Sequence, residues 1–476
     1  MPRLMTIVVG VALALCAFVL YAFSNPVHYN QYTHFVWQAD AFLHGRIWIP
    51  WPIPDGASLP ANWYFQDVYP LHDAAGNPDG RVLIPFPPLP AIVLLPFVAL
   101  WGLTTDQEAI AIGLAALGVG LAYWCLGGLR IRTSVRILVT ILFATGTVWW
   151  WAAAVGSTWY LAHLVASDVA FLAVGIALRH DQRAADDEGD RTPGGFGGAG
   201  VRFGPEPEPA RPWWSPDRSQ VLAGLLLGVA ATARLPLVFA APFLMFTGGG
   251  GSTVRRTLSA GIGGVVPVAA LLLYTWLTTG SVLHPGYDYQ YQLEANGYPT
   301  LGYHPEWSVE DVRYIPQNLG IMFGALPVLA PDVKPDTLGY GDPVRLCVPP
   351  DTGRGLFDPS CPIAMPIDLG TTVLLSAPGL LLFIPAVRRR PLARLTIGSL
   401  LSVALIVVFN LAHFSQGWVQ WGYRFSMDFI PFLLPLVALG AARVADGRPK
   451  TIAVVLVAAG ALVNLWGVTW GQILGW

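Results

Sequence analysis

Asp40 and His44, four residues apart, form a pair whose types and spacing suit acid–base chemistry. On a helix, residues i and i+4 lie on one face and can touch. A carboxylate beside an imidazole can then take the proton of an attacking hydroxyl. A merely solvated polar face accounts for the same two residues. Asp67, in Trp63-Tyr64-Phe65-Gln66-Asp67, is the second candidate base, set among aromatic side chains. Two arginines offer the complementary chemistry, because a guanidinium presents planar donors that match phosphate oxygens. Arg424 follows Trp421, Gly422 and Tyr423 and precedes Phe425, so stacking faces surround it, although Trp and Tyr also anchor proteins at membrane interfaces. Arg234 stands in Ala233-Arg234-Leu235-Pro236, inside an otherwise apolar stretch. Such an arginine faces a watery cavity or an anion, or snorkels to the lipid headgroups.

The remaining candidates are less specific. His163, in Thr158-Trp159-Tyr160-Leu161-Ala162-His163, either lines a pocket or is a satisfied histidine within the membrane, and Asp168 bonds a neighbouring helix or lines the same cavity. Tyr287, Tyr289, Tyr291, Tyr298 and Tyr303 suit a sugar platform or an anchoring belt. Cys347 and Cys361 share a polar Pro/Gly-rich loop and are expected to pair in an oxidising compartment. His304 and Glu306 leave a divalent metal open, but no spacing is specific for one and no cofactor is assigned. There is no internal repeat, Walker loop or dinucleotide fingerprint. The net charge of −2 gives no electrostatic case for a nucleic-acid partner.

These residues must be positioned by membrane helices. Of 476 residues, 54% are apolar and 12% charged, against about 25% charged in an ordinary soluble domain. Recurrent apolar runs are long enough to cross a hydrocarbon core of about 30 Å, and they are too uniform for the alternating strands of a barrel. The fold class is therefore all-α and integral to the membrane, a polytopic bundle of about 11 spans. They are expected near 4–23, 106–128, 134–154, 158–178, 219–233, 235–249, 257–278, 371–387, 395–412, 428–443 and 451–473. The first is read as an uncleaved span, because its apolar stretch exceeds a signal-peptide core.

Basic residues collect on cytoplasmic loops. A cytoplasmic N-terminus puts 19 of the 27 there and leaves the C-terminus outside. Val82–Leu103 carries Pro85, Pro87, Pro88, Pro90 and Pro96, each lacking a helical donor, so it is read as an interfacial helix. The stretch 219–249 is read as a helical hairpin turning at Arg234-Leu235-Pro236, since a single span would expel Arg255, Arg256 and Arg388–Arg390 from the cytoplasm. Tyr32–Gly45 is read as an amphipathic juxtamembrane helix with Phe35, Val36, Ala39, Phe42 and Leu43 on its apolar face. The organisation follows: an N-terminal membrane module, 1–178, with a first outer loop at 24–105; a disordered cytoplasmic linker, 179–218; and a C-terminal membrane module, 219–476, with an outer loop at 279–370. The expected location is a cell membrane, that of a bacterial plasma membrane.

Four segments resemble the GT-C superfamily of membrane glycosyltransferases, which includes protein O-mannosyltransferases and lipid A aminoarabinose transferases. They are the first span with its Tyr32–Gly45 helix, Phe86-Pro87-Pro88-Leu89-Pro90, the Arg234 hairpin tip, and Trp421-Gly422-Tyr423-Arg424-Phe425 before a late span. Each is short and degenerate, so the likeness is to a superfamily. The resemblance implies a polyprenyl-phosphate-linked sugar as donor, transfer at the outer leaflet, contact with membrane lipids, and a glycan, lipid or protein acceptor. It also implies a carboxylate base in the first outer loop and arginines on the departing phosphate. Here the position of the usual acid holds Asn30-Gln31, neither of which can act as a base. Asp40 oriented by His44 is then the first choice and Asp67 the second, with Arg234, Arg424, Trp421, Tyr423 and His163 binding substrate. A non-catalytic relative that binds lipid-linked glycan is the alternative. A flippase, the third reading, would show paired repeats with broken helices, and none is visible.

Overall fold

The computed structural model describes residues 2–26, 30, 32–50, 67–189, 214–249, 251–297, 302–336, 342–350, 352–445 and 450–476. It is a helical bundle. Seven helices among the described residues are long and apolar enough to cross a membrane, and an eighth span results if Thr133–Thr145 and Trp149–Val155, bent by 48°, count as one. This is fewer than the eleven expected, and three stretches account for the difference. The two arms of 219–249 are short, and 371–387 is broken into Val373–Ser376, a 3-10 stretch Pro378–Leu382 and Phe383–Arg389. Pro378, which lacks a backbone donor, opens the 3-10 stretch at the first break.

The expected hairpin is present. Arg218–Ala231 rises from one end of the bundle, the chain turns at Arg234, and the 3-10 stretch Leu235–Ala240 with Ala241–Phe246 returns to the same end. Gln220 closes its base, donating to the carbonyls of Leu244 (2.6 Å) and Thr247 (3.1 Å). Fourteen residues of α-helix reach only about 21 Å, so the tip stops inside the bundle. The rising arm lies hard against Thr253–Thr279. A Cβ at Gly224 would meet the Ala260 carbonyl oxygen at 2.0 Å, and one at Gly263 the Val221 carbonyl oxygen at 2.0 Å. Small residues permit this approach of two backbones.

Helices Thr158–Gly189 and Ser426–Ala445 form the buried centre, whereas Pro2–Ser24 and Thr253–Thr279 expose most of their apolar surface. The helix begun at Thr158 continues to Gly189. The first eleven residues of the segment read as a disordered linker are therefore helical, and 190–213 lie outside the described residues.

Connections at the far end from Pro2 carry the non-helical structure. Ile49–Pro50, Pro78–Leu83 and Tyr69–His72 form an antiparallel sheet in that spatial order. Val328–Leu329 pairs with Ala364–Met365, and the Cys347–Cys361 disulfide closes the loop between them as expected. Helix His34–Leu43 buries Phe35, Val36 and Ala39 against the bundle. It ends before Gly45, whose φ of 67° suits glycine. Leu89–Trp101 is a 13-residue helix, too short to span, and it starts at the hairpin tip where Leu89 donates to the Thr232 carbonyl.

Candidate functional site

The polar residues of this end converge on Asp428, at the start of Ser426–Ala445. Its carboxylate is 1% exposed. Arg234 grips it bidentately, Nε to Oδ1 at 3.1 Å and the terminal nitrogen to Oδ2 at 2.9 Å. His163 Nδ1 lies 2.9 Å from Oδ1, and Asn410 donates to Oδ2 at 3.1 Å. Four elements are tied here: the hairpin tip, the head of Thr158–Gly189, the end of Arg394–Ala412 and the head of Ser426–Ala445. A charge in lipid is costly unless paired, and each of these two charges answers the other. His163 Nε2 is buried and has no hydrogen-bond partner.

Arg424 stands beside this network. Its guanidinium is hydrogen-bonded to Tyr160, while its Nε is buried without a hydrogen-bond partner. Burial lowers its pKa, and the Arg234 charge lowers it further. The loop that presents it is braced from within. Gln420 donates to the carbonyls of Gln416 (3.0 Å) and Leu369 (3.1 Å), and Gln416 donates to that of Asn410 (2.8 Å). Gly417, at φ 89°, is required, because a Cβ there would lie 2.7 Å from the Arg424 guanidinium.

Asp67 faces Arg424 from the first long connection, close enough for each charge to shift the other. Its carboxylate accepts from Trp159 Nε1 at 3.0 Å and is hydrogen-bonded to Gln290. Desolvation by burial pushes its pKa up to about 6, against the lowering pull of those two bonds and of Arg424. Tyr287, on Gly286–Gly297, completes the surroundings. Burial raises its phenol to about 12, and Arg234, Glu310 and Asp67 all act on it electrostatically. Glu310 itself pairs with His413 at 3.2 Å. A half-buried carboxylate, a guanidinium with spare donor capacity and aromatic side chains thus lie within electrostatic reach of one another at the end of the bundle. Among the described residues no three His, Cys, Asp or Glu side chains converge as metal ligands.

No protein-family model matches this chain, and no curated protein sequence matches it. Among solved structures it is similar to that of the Archaeoglobus fulgidus oligosaccharyltransferase tethered with an acceptor peptide containing the NVT sequon via a disulfide bond. The TM-score is 0.46 at 12% identity, over 97% of this chain and 55% of that one. This chain therefore spans about half the length of that protein.

The structure brings Asp67, Arg234, Arg424 and His163 together, with Tyr423 packed nearby against Phe425, and places Asp40, His44 and Trp421 elsewhere. Asp40 and His44 do touch, but on an outward face. His44 is 63% exposed, and the Asp40 carboxylate lies 3.5 Å from its Nδ1 and 3.4 Å from Arg46. Trp421 and Tyr423, expected to offer stacking faces, are packed inward instead. Trp421 donates to Asn464 at 3.1 Å, and the Tyr423 hydroxyl donates to Gln416 at 2.7 Å. Asp168 lies deeper, beside Gly118 and Trp149, and neither of its oxygens has a hydrogen-bond partner. Asn30 serves structure: its Oδ1 accepts from the Gln107 backbone at 2.9 Å at a helix start, and Gln31 lies outside the described residues. His304 stacks on Trp307 with centroids 4.1 Å apart. Reasoning from the sequence assigned no role to Asp428, Tyr160, Asn410 or Gln290. The one signal for Asp428 was an acid four residues beyond Arg424 at the head of an apolar run.

Proposed function

We propose that this chain is a membrane glycosyltransferase of GT-C type. It moves a sugar from a polyprenyl-phosphate donor to an acceptor hydroxyl at the non-cytoplasmic face, the side to which the arginine distribution assigns this end. The reading is carried by one observation: Asp67 and Arg424, 357 positions apart in sequence, are bound by the adjacent residues Trp159 and Tyr160, within electrostatic reach of each other. In the reaction, Asp67 takes the acceptor proton, the acceptor atom bonds to the anomeric carbon, and the bond from that carbon to the phosphate oxygen breaks. The electron pair leaves with the lipid phosphate, whose added charge Arg424 stabilises. A carboxylate with a pKa of about 6 is largely ionised at neutral pH yet close enough to it to share a proton in the transition state. Arg234 is engaged bidentately by Asp428, so it offers no free bidentate grip to the phosphate.

The test is transfer of labelled sugar from polyprenyl phosphate by the full chain in lipid nanodiscs. Asp67→Asn is expected to lower kcat by about 100-fold or more, and Asp40→Asn to leave it within twofold. Full transfer by Asp67→Asn would remove it as the base, and loss in Asp40→Asn alone would restore the outward dyad. The absence of any transfer, with binding of the donor retained, would favour a non-catalytic glycan-binding relative. That second reading is supported by Asn30, whose amide is consumed in holding the Gln107 helix start.

A further inference from the structure

Arg234 and Arg424 pose an electrostatic difficulty. Each guanidinium carbon lies 5.2 Å from the centroid of the Phe425 ring, so the two are at most twice that distance apart. Asp428 answers Arg234 with two hydrogen bonds. Among the described residues no carboxylate grips Arg424 in that way: Asp67 acts on it electrostatically, Tyr160 is hydrogen-bonded to it, and its buried Nε has no hydrogen-bond partner. What does lie against both is the ring itself. Phe425 is 4% exposed and fixed by His163, His413 and Tyr423, whose rings stand 5.9, 6.4 and 6.0 Å from it. An aromatic face attracts a cation through its quadrupole, more strongly where water is scarce. A phenyl ring adds no charge that would compete with a bound anion, as a second carboxylate would.

Resting on the phosphate reading above, we propose that Phe425 is a positioning residue whose π face holds the Arg424 guanidinium beside the Asp428-bound Arg234. It keeps Arg424 seated without neutralising it, so that its positive charge stays available to a phosphate ester. The side chain acts through Arg424 and does not itself touch the reacting atoms.

A graded replacement separates this role from simple packing. The full chain in nanodiscs is prepared with 4-fluoro-, 3,5-difluoro- and 3,4,5-trifluorophenylalanine at position 425, which withdraw charge from the ring face at nearly constant size. Phe425→Leu is prepared beside them. The first readout is the rate at which phenylglyoxal modifies Arg424, followed by peptide mass spectrometry with Arg234 as the internal reference. That rate is expected to rise stepwise by about threefold to tenfold over the series, with Phe425→Leu at or beyond the trifluoro value and Arg234 nearly unchanged. The second readout is binding of farnesyl phosphate, expected to weaken in the same order. A modification rate flat across the fluorinated series overturns the proposal, even if Phe425→Leu is impaired, because packing alone would then explain the leucine variant. A graded rate with no farnesyl phosphate binding by the unmodified protein keeps the role of Phe425 and counts against the phosphate reading instead.

Discussion

Replacing Asp428 by Asn would expose how much of this end of the bundle rests on one carboxylate. The substitution keeps shape and removes the charge. It also turns one acceptor oxygen into a donor that must face Arg234, His163 or Asn410, all of which approach within 3.1 Å. Breaking a buried ion pair from one side costs about 3–5 kcal/mol, mostly through the charge left behind. The Arg234 side chain is 22% exposed, so some water can reach it, and the lower part of that range is expected. The assay is unfolding of the full chain in mixed micelles titrated with a denaturing detergent and followed by far-UV circular dichroism. The companion variant, Arg234→Met with Asp428→Leu, removes both charges and is expected to regain most of the loss, since an apolar replacement of a whole buried pair is close to neutral. With Arg234→Met and Asp428→Leu also made singly, the coupling between the sites follows from the double-mutant cycle. A cost for Asp428→Asn below about 1 kcal/mol, the range of exposed ion pairs, would refute the view that this network is sealed from water. So would a double variant no better than the single.

Three further outcomes follow from the geometry. Transfer should gain an acidic limb near pH 6, falling about tenfold per unit below it, because the base form of Asp67 is lost as pH drops through its raised pKa of about 6; a limb near 4 in the pH profile of kcat/KM would mean that Asp67 is not desolvated. Gly263→Ala forces a methyl into the Val221 carbonyl and should cost about 1–3 kcal/mol, with transfer falling as the hairpin that carries Arg234 shifts. Gly261→Ala, with nothing within 4 Å of the added carbon, is the matched control, and equal midpoints for the two in detergent unfolding would reject the close-packing account. Removing the Cys347–Cys361 bridge, which spans 14 residues of sequence, should cost about 3 kcal/mol through loop closure and speed proteolysis of that loop; unchanged cleavage in the double serine variant would show the bridge to be dispensable.

Much of this architecture was legible because lipid constrains sequence severely. Apolar runs, and arginine counts between them, located the membrane helices and the hairpin turn at Arg234. Helix count was less legible. An apolar stretch such as 371–387 satisfies a hydropathy window, yet it is broken into three short pieces, the first break at Pro378. The site was legible only by half. An arginine in an apolar hairpin requires an anion somewhere, but nothing local says which of 29 acidic residues supplies it. Asp428 lies 194 positions from Arg234 and 265 from His163, and their meeting is a property of how the helices cross. Asp40 and His44, which touch on an outward face, show the converse. Spacing along one helix guarantees that two side chains touch, and says nothing about which way the helix turns its polar face.

Pairing of Arg234 with Asp428 also decides what charge the cleft has left to offer. One cation and one anion cancel in that network, so in the proposed complex the balance between Arg424 and Asp67 would set the field at the phosphate. While Asp67 is ionised it competes with the phosphate for Arg424, each charge shifting the other's pKa. In the proposed reaction Asp67 becomes neutral as it takes the acceptor proton, at the same stage as the departing phosphate gains its extra charge. Arg424 is thereby released to the leaving group when it is most needed, with no movement of the protein. An enzyme built this way should bind the lipid phosphate product more tightly when Asp67 is replaced by Asn, although it turns over less. Weaker product binding in Asp67→Asn would break the link between the two charges.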